Sequence, residues 1–448
     1  MTEKIAVIGM GYVGIPMAAL LADVDGYDVT GIQRRSKRSG WKIDALNAGE
    51  SPFKGEEPGL EELIRRVVDK KAFRVTDDKT MLKDMDIILI DVQTPTDSAD
   101  HAPQYLSLRE VSRDIGTYIQ QDALVITEST VAPGTTQHVI QPIIEQKSGL
   151  KAGSDFSLAY SYERVMPGKL IEYIVHLPRI IGGTSKRCEE RAKELYSNVV
   201  QAPILTTDVL SAETSKTMEN AYRDVNIAFA NEMALISEAL GVDVFEIREL
   251  INSRSERHMH IPGAGVGGHC LPKDTWLLRY GLQMYGKTPI ETRFVSLARE
   301  INDFMPRHMT NLVKKGLAKH EISLRDAVIT ILGVAYLEDC DDTRNTPAAP
   351  LVDFLAAYGA QVRAHDPHVQ EFPESELFQD LEAAVVDADC IALVTRHNEY
   401  YDLDPAWLKS KMRTHILVDG RNVFDLGRFK QVGFTTLAIG KGNVPFAH

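Results

Sequence analysis

Short runs of apolar, often β-branched residues recur along the first part of the chain. Residues 4–9, 86–91, 123–127 and 179–182 are such runs, and a helical stretch such as 59–70 lies between two of them. Runs of this length are typical of buried strands. Because strands alternate with helices, the pattern predicts an α/β fold with a doubly wound parallel sheet.

The pattern changes after about residue 207. Residues 208–240 contain neither proline nor glycine and end at Gly241, which favours one long helix followed by a second over 243–253. Apolar residues cover much of this long helix, more than one small domain can bury. We therefore expect a homodimer packed through it, with contacts from Ile227, Phe229, Met233 and Leu235.

Strand–helix alternation returns near residue 326. Strands are predicted at 327–332, 361–365, 390–394 and 415–418. The chain is thus expected to hold two Rossmann-like, doubly wound parallel-sheet domains joined by a helical middle domain. The predicted boundaries are 1–207, 208–310 and 311–448.

Composition narrows the function classes. A hydrophobic content of 44% and a charged content of 25% are typical of a soluble globular protein. The net charge of -13 argues against nucleic-acid binding, although a local group of cations could still hold a diphosphate. The chain has no leader-like start and no apolar run near the roughly 20 residues of a membrane span, so we expect a cytoplasmic protein without membrane contact.

The four cysteines lack the spacing of a disulfide framework or a zinc site, so no metal is expected. Cys270 differs from the other three because glycines crowd its approach in PGAGVGGHCLPKD, and Lys273 and Asp274 follow within one helical turn. Backbone N–H groups and a nearby cation would lower the pKa of such a thiol and produce a nucleophile. The alternative is a buried structural cysteine.

A glycine motif, GMGYVG, follows the first predicted strand. Gly9, Gly11 and Gly14 would allow a tight turn, close approach of a pyrophosphate and close helix–strand packing, with Tyr12 and Val13 on the same turn. The position of the motif at a strand–turn–helix junction predicts dinucleotide binding. A purely structural turn is the alternative.

The end of the second predicted strand bears on the choice of cofactor. An acidic residue there would bind the ribose of NAD, but this chain has Gln33 followed by Arg34 and Arg35. Guanidinium groups would tolerate a 2′-phosphate. We expect NAD, with NADP as an alternative.

Three further features suggest polar groups at a site. Lys216 and Asn220 lie four residues apart on the long helix, so they share a face and could stabilise an oxyanion. Glu163, after a predicted strand, could be a general base or a substrate anchor. Thr130 follows the carboxyl end of another predicted strand, where ligands of doubly wound sheets bind. Plain helix surface, an exposed carboxylate and a helix cap are the respective alternatives.

Taken in order, these motifs resemble the UDP-glucose/GDP-mannose dehydrogenase family over residues 4 to about 425. They are GMGYVG, ESTVAPGTT, SYERVMPG, SKTMENAYRDVNIAFANE, GVGGHCLPKD and GVAYLEDCDDTRNTPA. The resemblance implies an NAD-binding end, a helical middle that forms the dimer and an end that binds the sugar nucleotide.

The resemblance also implies residue roles. Its catalytic set is Cys270 as the nucleophile, Lys216 and Asn220 as stabilisers of the alkoxide and oxyanion, Asp274 with Thr130 positioning the hydrolytic water, and Glu163 assisting thioester chemistry. The implied cofactor contacts are the glycine motif, Gln33 and Arg34, together with Thr94, Thr130, Lys273 and Arg344. Its substrate contacts are Glu163, Arg164, Lys216, Asn220, Gly267 and Arg421.

The implied reaction is an NAD-dependent four-electron oxidation of the C6 alcohol of a UDP-sugar to the uronate, through a thioester on Cys270. Two rivals remain: a one-step dehydrogenase of the hydroxyacid type, and a sugar-nucleotide-binding regulatory protein without turnover. The joint presence of Cys270, Lys216, Asn220 and Asp274 disfavours both.

Two departures from the family pattern bear on the substrate. Leu337 stands where the family often has a phosphate-binding lysine, and Pro167 stands where the UDP-glucose branch has a second glutamate. ERVMPG together with GVGGHC resembles the branch that acts on UDP-N-acetylhexosamines, such as UDP-N-acetylmannosamine. UDP-glucose and GDP-mannose are the alternative substrates.

Overall fold

The structure is a computed structural model that describes residues 2–37, 39–53, 55, 57–97 and 99–442. It divides into two compact units, one of residues 1–219 with 276–290 and the other of residues 220–275 with 291–448. This division does not test the three-domain boundaries predicted from the sequence, which stay a prediction.

The first unit contains a sheet of eight strands. They are β1 (Glu3–Ile8), β2 (Tyr27–Ile32), β3 (Phe73–Thr76), β4 (Ile87–Ile90), β5 (Leu124–Thr127), β6 (Ser157–Tyr160), β7 (Arg179–Gly183) and β8 (Ile204–Asp208). Their order is β3-β2-β1-β4-β5-β6-β7-β8, and every neighbouring pair is parallel except β6 and β7. The strand order reverses between β1 and β4, which is where doubly wound sheets bind ligands.

In the described part of the chain, α-helices connect most of these strands. They are α1 (Gly14–Ala22), α2 (Trp41–Asn47), α3 (Leu60–Asp69), α4 (Leu106–Tyr118), α5 (Gln141–Ser148), α6 (Leu170–His176) and α7 (Lys186–Ser197). The central strands β4, β5 and β6 are buried along their whole length, which explains the continuously apolar sequence of β4 and the mostly apolar sequences of β5 and β6.

The middle of the chain is helical, as predicted. It contains α8 (Val209–Leu240), α9 (Val244–Asn252), α10 (Leu271–Tyr285) and α11 (Arg293–Ala318). Helix α8 passes from the first unit into the second, and several of its apolar side chains are exposed, including those of Tyr222, Phe229 and Ile236. The homodimer stays a prediction that this exposed face favours.

The second unit contains a six-stranded, fully parallel sheet. Its strands are β9 (Val328–Leu332), β10 (Gln361–His365), β11 (Glu376–Phe378), β12 (Cys390–Leu393), β13 (Ile416–Asp419) and β14 (Thr435–Ala438), and its further helices are α12 (Ala348–Ala357), α13 (Leu381–Val385), α14 (Pro405–Lys411) and α15 (Leu426–Gln431). The order β11-β10-β9-β12-β13-β14 repeats the winding of the first sheet. The predicted fold class is confirmed.

The four strands that were not predicted all lie at sheet edges: β3, β8, β11 and β14. An edge strand has one neighbour and buries fewer side chains, so its sequence carries a weaker apolar signal. Strand β8 shows this clearly, because none of its five residues is fully buried. Among the described residues, no helix has the length and apolarity that crossing a membrane requires.

Asp366 organises the second sheet from a fully buried position after β10. Its carboxylate accepts the backbone N–H groups of Val334 and Ala335 at 2.7 and 3.0 Å, and those of His368 and Val369 at 2.9 and 3.0 Å. Burial opposes its ionisation, but a hydrogen bond from His397 and these N–H donors outweigh burial and lower the pKa of Asp366 to about 2.

We predict that Asp366→Asn lowers the free energy of unfolding by about 2 kcal/mol at neutral pH. A carboxyl group with a lowered pKa in the folded state stabilises above its unfolded pKa and loses that effect as the pH falls through the folded value. The difference from the unsubstituted protein should therefore close as the pH falls from about 4 to about 2. Urea unfolding at several pH values measures it, with the exposed Asp387→Asn as control. A difference that does not vary with pH would contradict the ionic contribution.

Candidate active site

The glycine turn after β1 has the geometry of a dinucleotide cradle. Gly9 has φ +110°, and a Cβ there would collide with the carbonyl oxygen of Asp91. A Cβ on Gly14 would collide with the carbonyl oxygen of Gly9, whereas Gly11 faces open space. The three glycines thus provide a tight turn, close helix–strand packing and room for a pyrophosphate, so the turn fits a dinucleotide.

The residues around this turn are fixed by side-chain contacts. Tyr12 stacks on Phe53 with ring centroids 4.4 Å apart, and Val13 is the N-cap of α1. The amide oxygen of Gln33 accepts the N–H of Met10 at 3.0 Å, while its nitrogen donates to Ser39 Oγ at 3.1 Å. Gln33 therefore ties the end of β2 to the turn.

The two arginines after Gln33 have different surroundings. Arg35 forms ion pairs with Asp77 at 3.2 Å and Asp44 at 3.5 Å. Arg34 is exposed, and its guanidinium has no ion pair within the described part of the chain. Among the described residues, carboxylates therefore offset the charge of Arg35 but not that of Arg34.

Thr94 and Thr130 lie next to each other beyond the carboxyl ends of β4 and β5. Thr94 Oγ1 donates to the carbonyl oxygen of Thr130 at 2.6 Å. Nearby is a fully buried polar cluster that the sequence did not predict, in which Glu128 pairs with Arg179 and accepts from the hydroxyl of Tyr196. Burial and the adjacent Glu128 raise the pKa of Asp91 well above its usual range.

Lys216 and Glu163 come together in the first unit. Lys216 Nζ donates to the carbonyl oxygen of Glu163 at 2.7 Å and lies 3.6 Å from its Oε1. The other carboxylate oxygen of Glu163 accepts the N–H of Val165 at 2.6 Å. Arg164 pairs with Glu219 at 2.9 Å and donates to the carbonyl oxygen of Pro178, so its guanidinium is held in place.

Cys270 is in the second unit, directly before helix α10. Its carbonyl oxygen accepts the N–H groups of Lys273 and Asp274 at 3.1 and 2.9 Å, which are the first hydrogen bonds of the helix. Cys270 therefore occupies the helix N-terminus, where the helix dipole and unpaired N–H groups favour a thiolate. The glycine-rich sequence had suggested this setting without fixing it.

Asp274 connects three of the predicted site residues. Its buried carboxylate accepts from Asn220 Nδ2 and from Lys273 Nζ, each at 2.5 Å. Asn220 is four residues beyond Lys216 on α8, so its amide is directed by Asp274 while Lys216 is directed by Glu163. The joint role of Lys216 and Asn220 in stabilising an oxyanion stays a prediction.

The approach to Cys270 is tightly packed. A Cβ on Gly267 would collide with Tyr336 and with the backbone of Asn345, and Gly268 has φ +88°. The neighbouring Arg344 is bound by Asp342 through both carboxylate oxygens, with Nε 2.9 Å from Oδ1.

His269 was not singled out from the sequence, although it adjoins Cys270. Burial, with Lys273 and Arg344 nearby, lowers the pKa of His269 to about 4, so its imidazole is neutral at neutral pH. Sequence position alone gave no measure of this burial.

Arg421 follows β13 and has no ion pair in the described part of the chain. Its Nε donates to the carbonyl oxygen of Val394 at 2.9 Å, and Nη2 donates to that of Gly265 at 3.1 Å. Burial, together with the nearby Arg396, lowers its pKa to about 10, so it still carries a charge at neutral pH. Arg396 is itself neutralised by Glu338 at 2.9 Å. This partly buried cation has hydrogen bonds to carbonyl oxygens but no ion pair among the described residues, which favours an anion beside it.

Asp339, His368 and His397 also lie close together. The Nδ1 of His397 accepts the N–H of Asp339 at 2.9 Å, so its Nε2 carries the proton that is donated to Asp366. Both ring nitrogens are thus occupied, and the group holds loops together rather than offering metal ligands.

Family models match three consecutive parts of the chain. Residues 3–200 match the NAD binding domain of the UDP-glucose/GDP-mannose dehydrogenase family, residues 210–304 its central domain and residues 330–426 its UDP binding domain. The chain belongs to the UDP-glucose/GDP-mannose dehydrogenase family.

Other members of the family match this chain over nearly its full length. The UDP-N-acetyl-D-mannosamine dehydrogenase of Pyrococcus horikoshii is 38% identical over 441 residues, which are 98% of this chain and 100% of that protein. Its solved structure has a TM-score of 0.90 and covers 99% of this chain and 100% of that chain. The NDP-N-acetyl-D-galactosaminuronic acid dehydrogenase of Methanosarcina mazei has a TM-score of 0.89 and 41% identity, covering 98% of this chain and 96% of that chain.

Membership in the family confirms the predicted enzyme class and cofactor: the chain is an NAD-dependent nucleotide-sugar dehydrogenase with a UDP-binding domain. The role of each site residue stays a prediction, including the cofactor contacts of Thr94, Lys273 and Arg344.

We predict that NAD is the better cofactor, that NADP is used measurably, and that Arg34 carries the NADP activity. Arg34→Ala should lower kcat/KM for NADP about tenfold or more through loss of a charged contact to the 2′-phosphate. Arg35→Ala is the matched control, because ion pairs with two acids already occupy that guanidinium. Initial rates of cofactor reduction measure both. Strict rejection of NADP by the unsubstituted enzyme would show that Arg34 does not reach the ribose.

Proposed function

We propose that this enzyme oxidises the C6 alcohol of a UDP-N-acetylhexosamine to the uronate through a thioester on Cys270. The observation that carries the proposal is the position of Cys270 at the N-terminus of α10, with Asn220, Lys273 and Asp274 hydrogen-bonded beside it. The family relationship adds the redox class, and two of its relatives are named for N-acetylated sugar substrates.

NAD, when bound, would supply the oxidant: the two oxidations that separate an alcohol from a carboxylate would consume two NAD molecules, each taking up one hydride. The glycine turn at Gly9, Gly11 and Gly14 would hold its pyrophosphate, with Gln33 at the ribose. Thr94 and Thr130 lie beyond adjoining strand ends of the same sheet.

Cys270 would attack the aldehyde formed in the first oxidation. Its place at a helix N-terminus favours the thiolate, which is the nucleophilic form. Covalent capture retains the reactive aldehyde until the second oxidation, and hydrolysis of the resulting thioester releases the uronate. A one-step dehydrogenase would have no use for this cysteine.

Lys216 and Asn220 would stabilise the negative charge that develops on the sugar oxygen. Glu163 holds Lys216 through its carbonyl oxygen and carboxylate, and Asp274 holds the amide of Asn220. Asp274 would also orient the hydrolytic water with Thr130. Burial of the Lys216–Glu163 ion pair and of the Asn220–Asp274 hydrogen bond reduces competition from water and strengthens their electrostatic effect.

Arg421 would bind the diphosphate of the sugar nucleotide. Its charge has no carboxylate partner among the described residues, whereas the guanidinium groups of Arg344 and Arg396 do. This uncompensated cation supports diphosphate binding even though Leu337 replaces the lysine that is frequent in the family. Arg164 and Gly267 complete the predicted substrate contacts.

We predict that Cys270→Ser abolishes uronate formation while the folded protein still binds NAD and the UDP-sugar. Cys340→Ser is the matched control, because burial raises the pKa of the Cys340 thiol to about 11 and its sulfur faces the Leu337 carbonyl oxygen. Product analysis and calorimetric binding provide the measurements. Uronate formation at the normal rate by the Cys270 variant would eliminate the thioester mechanism.

The sugar preference gives a second test. Pro167 removes a carboxylate and stiffens the loop that follows Glu163, so we propose a pocket suited to a 2-acetamido group. Replacing that group by a hydroxyl would leave polar atoms unpaired, and discrimination of roughly tens- to hundreds-fold against UDP-glucose is expected. The measurement is kcat/KM for UDP-glucose and for the UDP-N-acetyl derivatives of mannosamine, glucosamine and galactosamine. A kcat/KM for UDP-glucose that equals or exceeds the highest value among these N-acetyl derivatives would refute the branch assignment.

A further inference from the structure

The segment 263–268, which leads to Cys270, has little conformational preference of its own. Four of its six residues are glycine, and glycine accepts a much wider range of backbone angles than other residues. Gly265 and Gly268 have φ of +141° and +88°. The conformation of this glycine segment, and with it the placement of Cys270, therefore depends on contacts from elsewhere in the second unit.

Hydrogen bonds from two neighbouring regions fix the start of the glycine segment. The N–H of Gly263 donates to Asn231 Oδ1 on α8 at 2.9 Å, and Asn231 in turn donates to Asn302 on α11 at 2.9 Å. Arg421 Nη2 donates to the carbonyl oxygen of Gly265 at 3.1 Å. These contacts hold residues that are five or more positions before the cysteine.

Asn345 holds the end of the segment, two residues before Cys270. Its Nδ2 donates to the carbonyl oxygen of Gly268 at 3.0 Å, while the N–H of Gly268 donates to the carbonyl oxygen of Arg344 at 2.9 Å. Asn345 itself has φ +51°, a left-handed conformation that asparagine adopts more readily than most residues. Both polar groups of Gly268 are therefore bound by one short segment before α12.

We propose that Asn345 is a positioning residue for Cys270 in the reaction. Its amide fixes the Gly268 carbonyl, so the glycine segment delivers Cys270 to the N-terminus of α10 in one orientation. Asn345 acts through the backbone of the segment rather than by contact with the reacting atoms. The inference rests on the proposed function of Cys270 as the nucleophile.

Two substitutions separate this role from general stability. Asn345→Gly keeps the left-handed backbone conformation accessible and removes the amide. Asn345→Asp keeps the shape but places an acceptor oxygen against the Gly268 carbonyl oxygen. Since misplacement of a reacting group by about 1 Å can cost on the order of a hundredfold in rate, we expect kcat to fall about tenfold to a hundredfold, more in the Asp variant than in the Gly variant.

The substrate KM should stay close to that of the unsubstituted enzyme, because Asn345 has no assigned contact with the sugar nucleotide. The rate at which iodoacetamide alkylates Cys270, followed by peptide mass spectrometry without substrate, should change in the same order. Glu321→Gly is the matched control: Glu321 also has a left-handed conformation, with φ +57°, and is exposed in the same unit, so its kcat and alkylation rate should be unchanged.

Normal kcat and normal Cys270 alkylation in both Asn345 variants would overturn the proposal, as would a loss confined to KM. An Asp variant with the kcat and the Cys270 alkylation rate of the unsubstituted enzyme would show that the amide donor is not what matters. If the Asp variant does not fold, the Gly variant alone decides by the same measurements. Failure of the proposed function is a separate outcome: Cys270→Ser would then form uronate normally, whatever Asn345 does.

Discussion

The buried carboxylate of Asp274 is the constraint on which the catalytic part of the second unit depends. An ionised carboxylate without access to water is costly unless cations or hydrogen-bond donors surround it. Lys273 and Asn220 both donate to it at 2.5 Å, so the first turn of α10 is bound to α8. Because Cys270 begins that turn, the same interaction determines where the thiol can lie.

The two sheets fix the loop after their first strand with different types of side chain. In each sheet the residue after the second strand binds the loop that follows the first strand. In the first sheet this is Gln33, whose amide accepts from Met10; in the second it is Asp366, whose carboxylate accepts from Val334 and Ala335. The carboxylate of Asp366 is thereby occupied by backbone N–H groups and His397, whereas Gln33 is neutral and the neighbouring Arg34 has no ion pair among the described residues.

The distribution of cations in the second unit follows a similar logic. Arg344 pairs with Asp342 and Arg396 pairs with Glu338, so a carboxylate neutralises each of these two charges. Within the part of the chain that the structure describes, backbone carbonyl oxygens bind the Arg421 guanidinium, and these direct it without cancelling its charge. One of these carbonyls belongs to Gly265, so the residue proposed to hold the diphosphate also braces the segment that leads to the nucleophile.

The sequence by itself determined the two windings, the long helix α8 and the glycine turn, because apolar periodicity and glycine placement are local signals. It also singled out Cys270, Lys216, Asn220 and Asp274 by motif. It did not predict the edge strands, because their few buried positions leave weak apolar patterns. It also predicted neither the burial of His269 nor the ion pair of Glu128 with Arg179. Only the tertiary structure decided that Asn220 binds Asp274, that Glu163 binds Lys216 and that Asn345 holds Gly268. These contacts join residues 53 to 77 positions apart, and hydrogen-bond partners at such separations depend on how the elements pack rather than on any local pattern.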